Sequence, residues 1–94
     1  MSFFGSGNKA KSVLLIDIAS SSVGGAYARI TPNAPTAILF SVRLPIESTA
    51  SDMQPALMLR TLDAVLRELR QNGAPLLRRR TGSGSVHSVH VHLG

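Results

Sequence analysis

Six consecutive residues near the start, Val13-Leu14-Leu15-Ile16-Asp17-Ile18, are apolar but for one aspartate. The run has the length of a strand, and a strand that does not alternate is one covered on both faces. A chain of 94 residues has room for a single core, so this strand is expected at the centre of a sheet around which everything else is arranged. Ala19-Ser20-Ser21-Ser22 is small enough to turn tightly, and Val23 to Ile30 resumes with Val23, Tyr27 and Ile30, which predicts a hairpin. Thr31 to Thr36 contains two prolines and reads as a turn. Ala37 to Leu44 then alternates, Ile38, Phe40, Val42 and Leu44 on one face and Leu39, Ser41 and Arg43 on the other, giving a third antiparallel strand that Pro45 ends.

Ser51-Asp52-Met53-Gln54 fits a capping box, and Met58, Leu62, Val65, Leu66 and Leu69 follow at helical spacing opposite Arg60, Asp63, Arg67 and Arg70. Asn72-Gly73 and then Pro75 predict the helix stop. Ala74 to Ser85 is expected to be a basic loop, and Val86 to Leu93 a fourth strand with Val89, Val91 and Leu93 on one parity. The expected fold class is therefore α/β: three antiparallel strands, a crossover helix and a fourth strand, with residues 1–12 a flexible lead-in and 13–94 the folded unit. With one helix, the second face of the central strand lacks a cover, so an exposed apolar face or edge and self-association are expected.

Composition narrows the function classes. The absence of cysteine excludes a disulfide framework, a thiolate nucleophile and a sulfur-ligated zinc site. No apolar run approaches the ~20 residues of a membrane-spanning helix. Phe3 and Phe4 precede the lysines, the reverse of a secretory signal, and Ser2 replaces the glycine of a myristoylation site, so the expectation is a cytoplasmic protein. A net charge of +5 favours an anionic partner, although Arg78-Arg79-Arg80 and the helix arginines also fit solvated surfaces. The aromatics, Phe3, Phe4, Tyr27 and Phe40, are not interleaved with the arginines, which speaks against nucleic acid. His90 and His92 share a strand face at a spacing compatible with a metal, but His87 has the other parity and Asp17 is the sole strand carboxylate. Histidines on a polar strand face are the simpler reading. No arrangement of serine, histidine and aspartate points to nucleophilic catalysis.

An acid at the end of a buried strand, followed by a turn of small residues, can hold a hydrated Mg²⁺ while the turn wraps a phosphate. The same pattern also occurs as an ordinary structural hairpin. The stretch from Leu14 to Val23 resembles the first phosphate-binding motif of the actin-like ATPases, and is similar in particular to the branch of the pilus-assembly ATPase PilM and the cell-division protein FtsA. Met1-Ser2-Phe3-Phe4-Gly5 also looks like the opening of PilM-type chains, and the order of elements follows the resemblance to Leu93. The resemblance implies a partial actin-like, RNase H-like subdomain whose parent family binds ATP and Mg²⁺; this chain by itself carries the first phosphate loop but not a complete site, and neither ligand is expected to be bound by it alone. Asp17 would correspond to the magnesium-associated carboxylate and Ala19, Ser20, Ser21 and Ser22 to the phosphate loop. Ala19 stands where the family usually has glycine, and Gly24 where this branch commonly has lysine. The implied role is assembly in pilus, cell-envelope or division machinery, with protein partners at the inner face of the membrane and without turnover by this chain alone. The competing reading is a small free-standing basic module that recruits a partner strand or an anionic surface.

Overall fold

The computed structural model describes residues 10–47 and 55–94. The capping box at Ser51 to Gln54, and Phe3, Phe4 and Lys9, lie outside the described residues. β1 (Lys11–Ile18), β2 (Ser22–Ile30) and β3 (Ala37–Pro45) form an antiparallel meander, and β4 (Ser88–Leu93) adds to β1 in parallel, giving the order β3-β2-β1-β4. β1 thus starts two residues earlier than the sequence pattern suggested, because Lys11 and Ser12 still pair with Ile30 and Arg29. The turn between β2 and β3 contains Asn33 at φ 61°, a left-handed residue of a type that tolerates it, with the Ala34 amide donating to the Thr31 carbonyl.

Register partners share a face, so Leu14, Ile16 and Ile18 of β1 lie beside Tyr27, Gly25 and Val23 of β2 and Phe40, Val42 and Leu44 of β3. Helix α1 (Pro55–Glu68) packs on this face, over β2 and β3. The core consists of Ile16, Val23, Tyr27 and Ile46 from the sheet side and Val65, Leu69 and Leu77 from the helical side. Gly25 lets the helix come close: a Cβ there would stand 2.7 Å from Leu69 Cδ1 and 2.9 Å from Val65 Cγ1. Leu66, placed by periodicity with the apolar stripe, is exposed at the edge of the contact.

Three sequence expectations are corrected. The helix does not stop at Asn72-Gly73. It passes through a π-helical turn (Leu69–Gly73) into α2 (Ala74–Thr81), with Gly73 right-handed at φ −85°, ψ −45°. The Ala74 amide donates to the Leu69 carbonyl, five residues back, and this widened turn is a means of seating Pro75 without the ring clash a regular helix would impose. Gly82, at φ 81°, is the left-handed stop, its amide capping the Arg78 carbonyl. Ala74 to Ser85 is therefore a helix followed by a short loop, and Leu77 is fully buried in it.

The second correction concerns β3, where a bulge between the Tyr27–Phe40 and Ala28–Ile38 pairs breaks the expected alternation. Leu39 packs against the core, whereas Ile38 is turned outward. The third concerns β1, expected to be covered on both faces: among the described residues helices lie on one face alone, and on the other Val13 and its partner Ala28 are buried while Leu15 is half-buried. On β4, Val89, Val91 and Leu93 fall by register on the helix side, yet the helices do not reach that far and the three are 55–73% exposed. The exposed apolar edge expected from the sequence is thus in place.

Candidate functional site

The helix-free face carries one row of side chains that chemistry can use. Arg43, Gly24 and Asp17 are register partners across β3, β2 and β1, and His92 of β4 continues the row. Arg43 Nη2 donates to Asp17 Oδ2 at 2.7 Å, and His92 Nδ1 lies 2.9 Å from Asp17 Oδ1. Arg43 Nη1 donates to Ser22 Oγ at 2.8 Å. The arginine spans a whole strand to do this, and it can because Gly24 has no side chain: a Cβ there would stand 2.5 Å from Arg43 Nη2 and 2.7 Å from Cζ. Gly24, whose place in the resembled branch is commonly taken by lysine, thus opens the path for an arginine from the next strand.

Beside the row, the β1–β2 turn closes on an Ala19 amide to Ser22 carbonyl hydrogen bond of 2.9 Å, with Ser20 and Ser21 exposed at its tip. Among the described residues Asn33 is the single non-glycine with positive φ, so the turn forms without the left-handed residues that two-residue hairpins prefer. Ala19 therefore needs no glycine for its backbone conformation. The turn is held from both sides: Ile46, just past β3, donates to the Ser21 carbonyl at 2.8 Å, and Gly94, just past β4, donates to the Ile18 carbonyl at 2.9 Å.

The hydrogen bond from His92, followed by that from Arg43, holds the Asp17 carboxyl below its ordinary pKa. Side chains that are 40% (Asp17) and 50% (Arg43) exposed form a solvent-screened pair, so the row serves position more than stability. What stability it gives is present above the ordinary aspartate pKa and lost as pH falls through the lowered folded value. By NMR titration, Arg43→Gln, His92→Ala and Gly24→Ala are each expected to raise the Asp17 pKa toward the ordinary value, the last by pushing the guanidinium off β2. An unmoved Asp17 pKa in all three variants would mean that the row does not form in solution.

From this row a groove of about 550 Å³ runs down the helix-free face, with Leu15 and Ala26 among its apolar residues and Ser41 and His90 among its polar ones. Of the residues singled out from sequence, Asp17 and Ser22 are brought together through Arg43, while Ala19, Ser20 and Ser21 form the adjoining turn. The histidines separate: His92 bonds Asp17, His90 Nε2 lies 2.8 Å from Ser88 Oγ, and His87 sits at the opposite end of β4. Among the described residues no three of His, Cys, Asp and Glu are grouped as a metal ligand set. Sequence reasoning missed Arg43 and His92 as site residues; the outward parity of Arg43 and the bare Gly24 were the available signals.

No protein-family model matches the chain, and no curated protein matches it. Among solved structures it is similar to an Aquifex aeolicus PPX-GPPA enzyme, at 19% identity and a TM-score of 0.55, over 90% of this chain and 27% of that one. A second structure, of the Aquifex aeolicus member of the Ppx/GppA family, aligns at 18% identity with a TM-score of 0.46, over 90% of this chain and 36% of that one. The chain spans about a quarter to a third of the length of these solved chains. Among the described residues no helix is long and apolar enough to cross a membrane. Four strands in the order β3-β2-β1-β4 with their helical crossover have the fold of a partial actin-like, RNase H-like subdomain.

Proposed function

We propose that this chain is the phosphate-loop subdomain of an actin-like ATP-binding protein, and that Asp17, Arg43 and the Ala19–Ser22 turn form the anion-facing half of its site. The observation that carries this reading is the row Arg43–Gly24–Asp17 ending beside an exposed serine turn. Asp17 fits the outer-sphere partner of a hydrated Mg²⁺, since each carboxylate oxygen keeps an acceptor direction beyond its present hydrogen bond. Bound there, the ion would neutralise phosphate charge. Arg43 adds the fixed cation, which Ser22 and Asp17 hold at the mouth of the turn. One loop of this kind cannot position water, γ-phosphate and metal together, so no turnover is expected of the isolated chain; Arg43, which the sequence did not point to, is the reason to propose phosphate binding where the sequence alone led to none.

Within that class, the Leu14–Val23 motif and the Met1–Gly5 opening favour a PilM/FtsA-type scaffold, with protein partners in a membrane-associated assembly. A second reading, a basic module that recruits a partner strand, is favoured by one observation, the exposed Val89, Val91 and Leu93 on edge strand β4. Calorimetric titration with Mg-ATP tests the first. Asp17→Asn and Arg43→Gln should each weaken binding by about tenfold or more, the scale of one charge-assisted contact, with no hydrolysis by any variant. Equal heats from all three proteins, or none, would remove the phosphate-loop assignment and leave Asp17 an ordinary hairpin residue.

A further inference from the structure

The end of the sheet remote from Asp17 has a different chemistry. β1 begins there with Lys11, β2 reaches it at Arg29, and α2 ends in Arg78, Arg79 and Arg80. None of these five cations has an ion-pair partner among the described residues. The described carboxylates lie elsewhere. Asp17 is at the other end of β1 and Glu47 follows β3 on that same side, whereas Asp63 pairs with Arg67 and Glu68 accepts from Asn72 along the helical segment.

Between the loop after α2 and the starts of β1 and β4 lies a recess of about 270 Å³, lined by Ser12, Arg29, Thr81, Ser83, Ser85 and His87 together with two apolar residues. No carboxylate lines it. The His87 amide donates to the Ser12 carbonyl at 2.7 Å and ties the loop to β1. Ser83 Oγ accepts from the Ser85 amide at 3.1 Å, which leaves the Ser83 hydroxyl proton to donate. The Arg78 guanidinium folds over the same loop, for a Cβ on Gly84 would stand 3.3 Å from its Nη2. The C-terminal end of a helix repels an anion. Here the Gly82 amide and the Thr81 hydroxyl already take the Arg78 and Leu77 carbonyls, and three arginines occupy the last turn.

We infer that this recess binds a phosphoryl group, held by Arg29 and the Ser83 and Ser85 hydroxyls, as a site separate from the Asp17 row; Arg78 lies over Gly84 of the loop and is not among the lining residues. One guanidinium fork with neighbouring hydroxyl donors matches a tetrahedral polyanion, which offers three oxygens to different donors. No Phe, Tyr or Trp lines the recess and its one ring is the His87 imidazole, so the phosphoryl group is the recognised part. Its source is either a soluble phosphate compound or a lipid headgroup, and two probes separate them.

Inorganic pyrophosphate is titrated into the full chain by NMR, and sedimentation is measured with phosphatidic acid vesicles against phosphatidylcholine vesicles. The expected result is saturable amide shifts at Arg29 and Ser83–His87, with affinity lowered about tenfold or more by Arg29→Gln. Arg43→Gln should leave this binding intact, so that loss of the Asp17 site and loss of this one are distinguishable. Co-sedimentation with phosphatidic acid vesicles alone, reversed by Arg29→Gln, assigns the headgroup; shifts with pyrophosphate and no co-sedimentation assign a soluble ligand. The inference fails if neither probe binds, if Arg60→Gln weakens binding as much as Arg29→Gln does, which would reduce it to net charge, or if Arg43→Gln abolishes it.

Discussion

Truncating Leu77 to alanine should cost the fold about 2–5 kcal/mol, the range for a leucine removed from a packed core. Leu77 is fully buried, and it lies within the Ala74 to Ser85 stretch that composition marks as a basic loop. A solvated loop residue would cost no more than about 0.5 kcal/mol, so the two possibilities differ several-fold. In a domain of this size about 1 kcal/mol moves the melting temperature by roughly 4–8 °C, which makes a fall of about 10 °C or more the expected reading. Leu76, next in sequence but half-buried, should lose distinctly less on the same substitution. Circular dichroism melts of the two variants decide it. A Leu77→Ala melt within a degree or two of the unsubstituted chain would mean that α2 is not docked on the sheet.

The strands were legible because their signals are local. A hexad apolar but for Asp17, an alternating octad and a valine-rich end each name a strand without reference to the rest of the chain. The end of the helix was not legible, although three stop signals coincide there. Gly73 is right-handed, and what calls for a residue without a side chain there is the sheet beneath it rather than a helix stop, while Pro75 is accommodated by a π turn that no local pattern announces. The break of alternation in β3 has the same origin: a bulge is decided by pairing with β2, so Leu39 and Ile38 exchange faces against their sequence parity.

The candidate site divides along the same line. Asp17 and the Ala19–Ser22 turn are contiguous and visible in sequence. Arg43 and His92 lie 26 and 75 residues from Asp17 and reach it through register alone. Gly24 read in isolation is a missing charge; in the sheet it is the gap through which a charge arrives from the neighbouring strand. The cations of the opposite end likewise gather from β1, β2 and α2, and the sequence shows them as three unrelated groups.

Gly73→Ala sets two tendencies against each other, and the balance reports what the glycine is for. In the interior of a right-handed helix alanine is better than glycine by about 1 kcal/mol. Against this, a Cβ at position 73 would stand 2.8 Å from Phe40 Cδ2 and from Tyr27 Cδ2 and Cε2, ring atoms that cannot fold away as a flexible chain end would. Overpacking of a close-packed site costs about 1–3 kcal/mol, so the net effect is expected to be destabilising. A left-handed helix stop at Gly73 would also make alanine destabilising, so the sign alone does not separate the two. Coupling does: Phe40→Leu removes part of the obstructing ring, and if the clash is with Phe40 the double variant should be more stable than the sum of the single losses predicts, by about 1 kcal/mol. A backbone penalty at position 73 is indifferent to residue 40 and would add. Urea melts of the four proteins give the coupling directly, and strict additivity would show that Phe40 is not what bars a side chain at position 73.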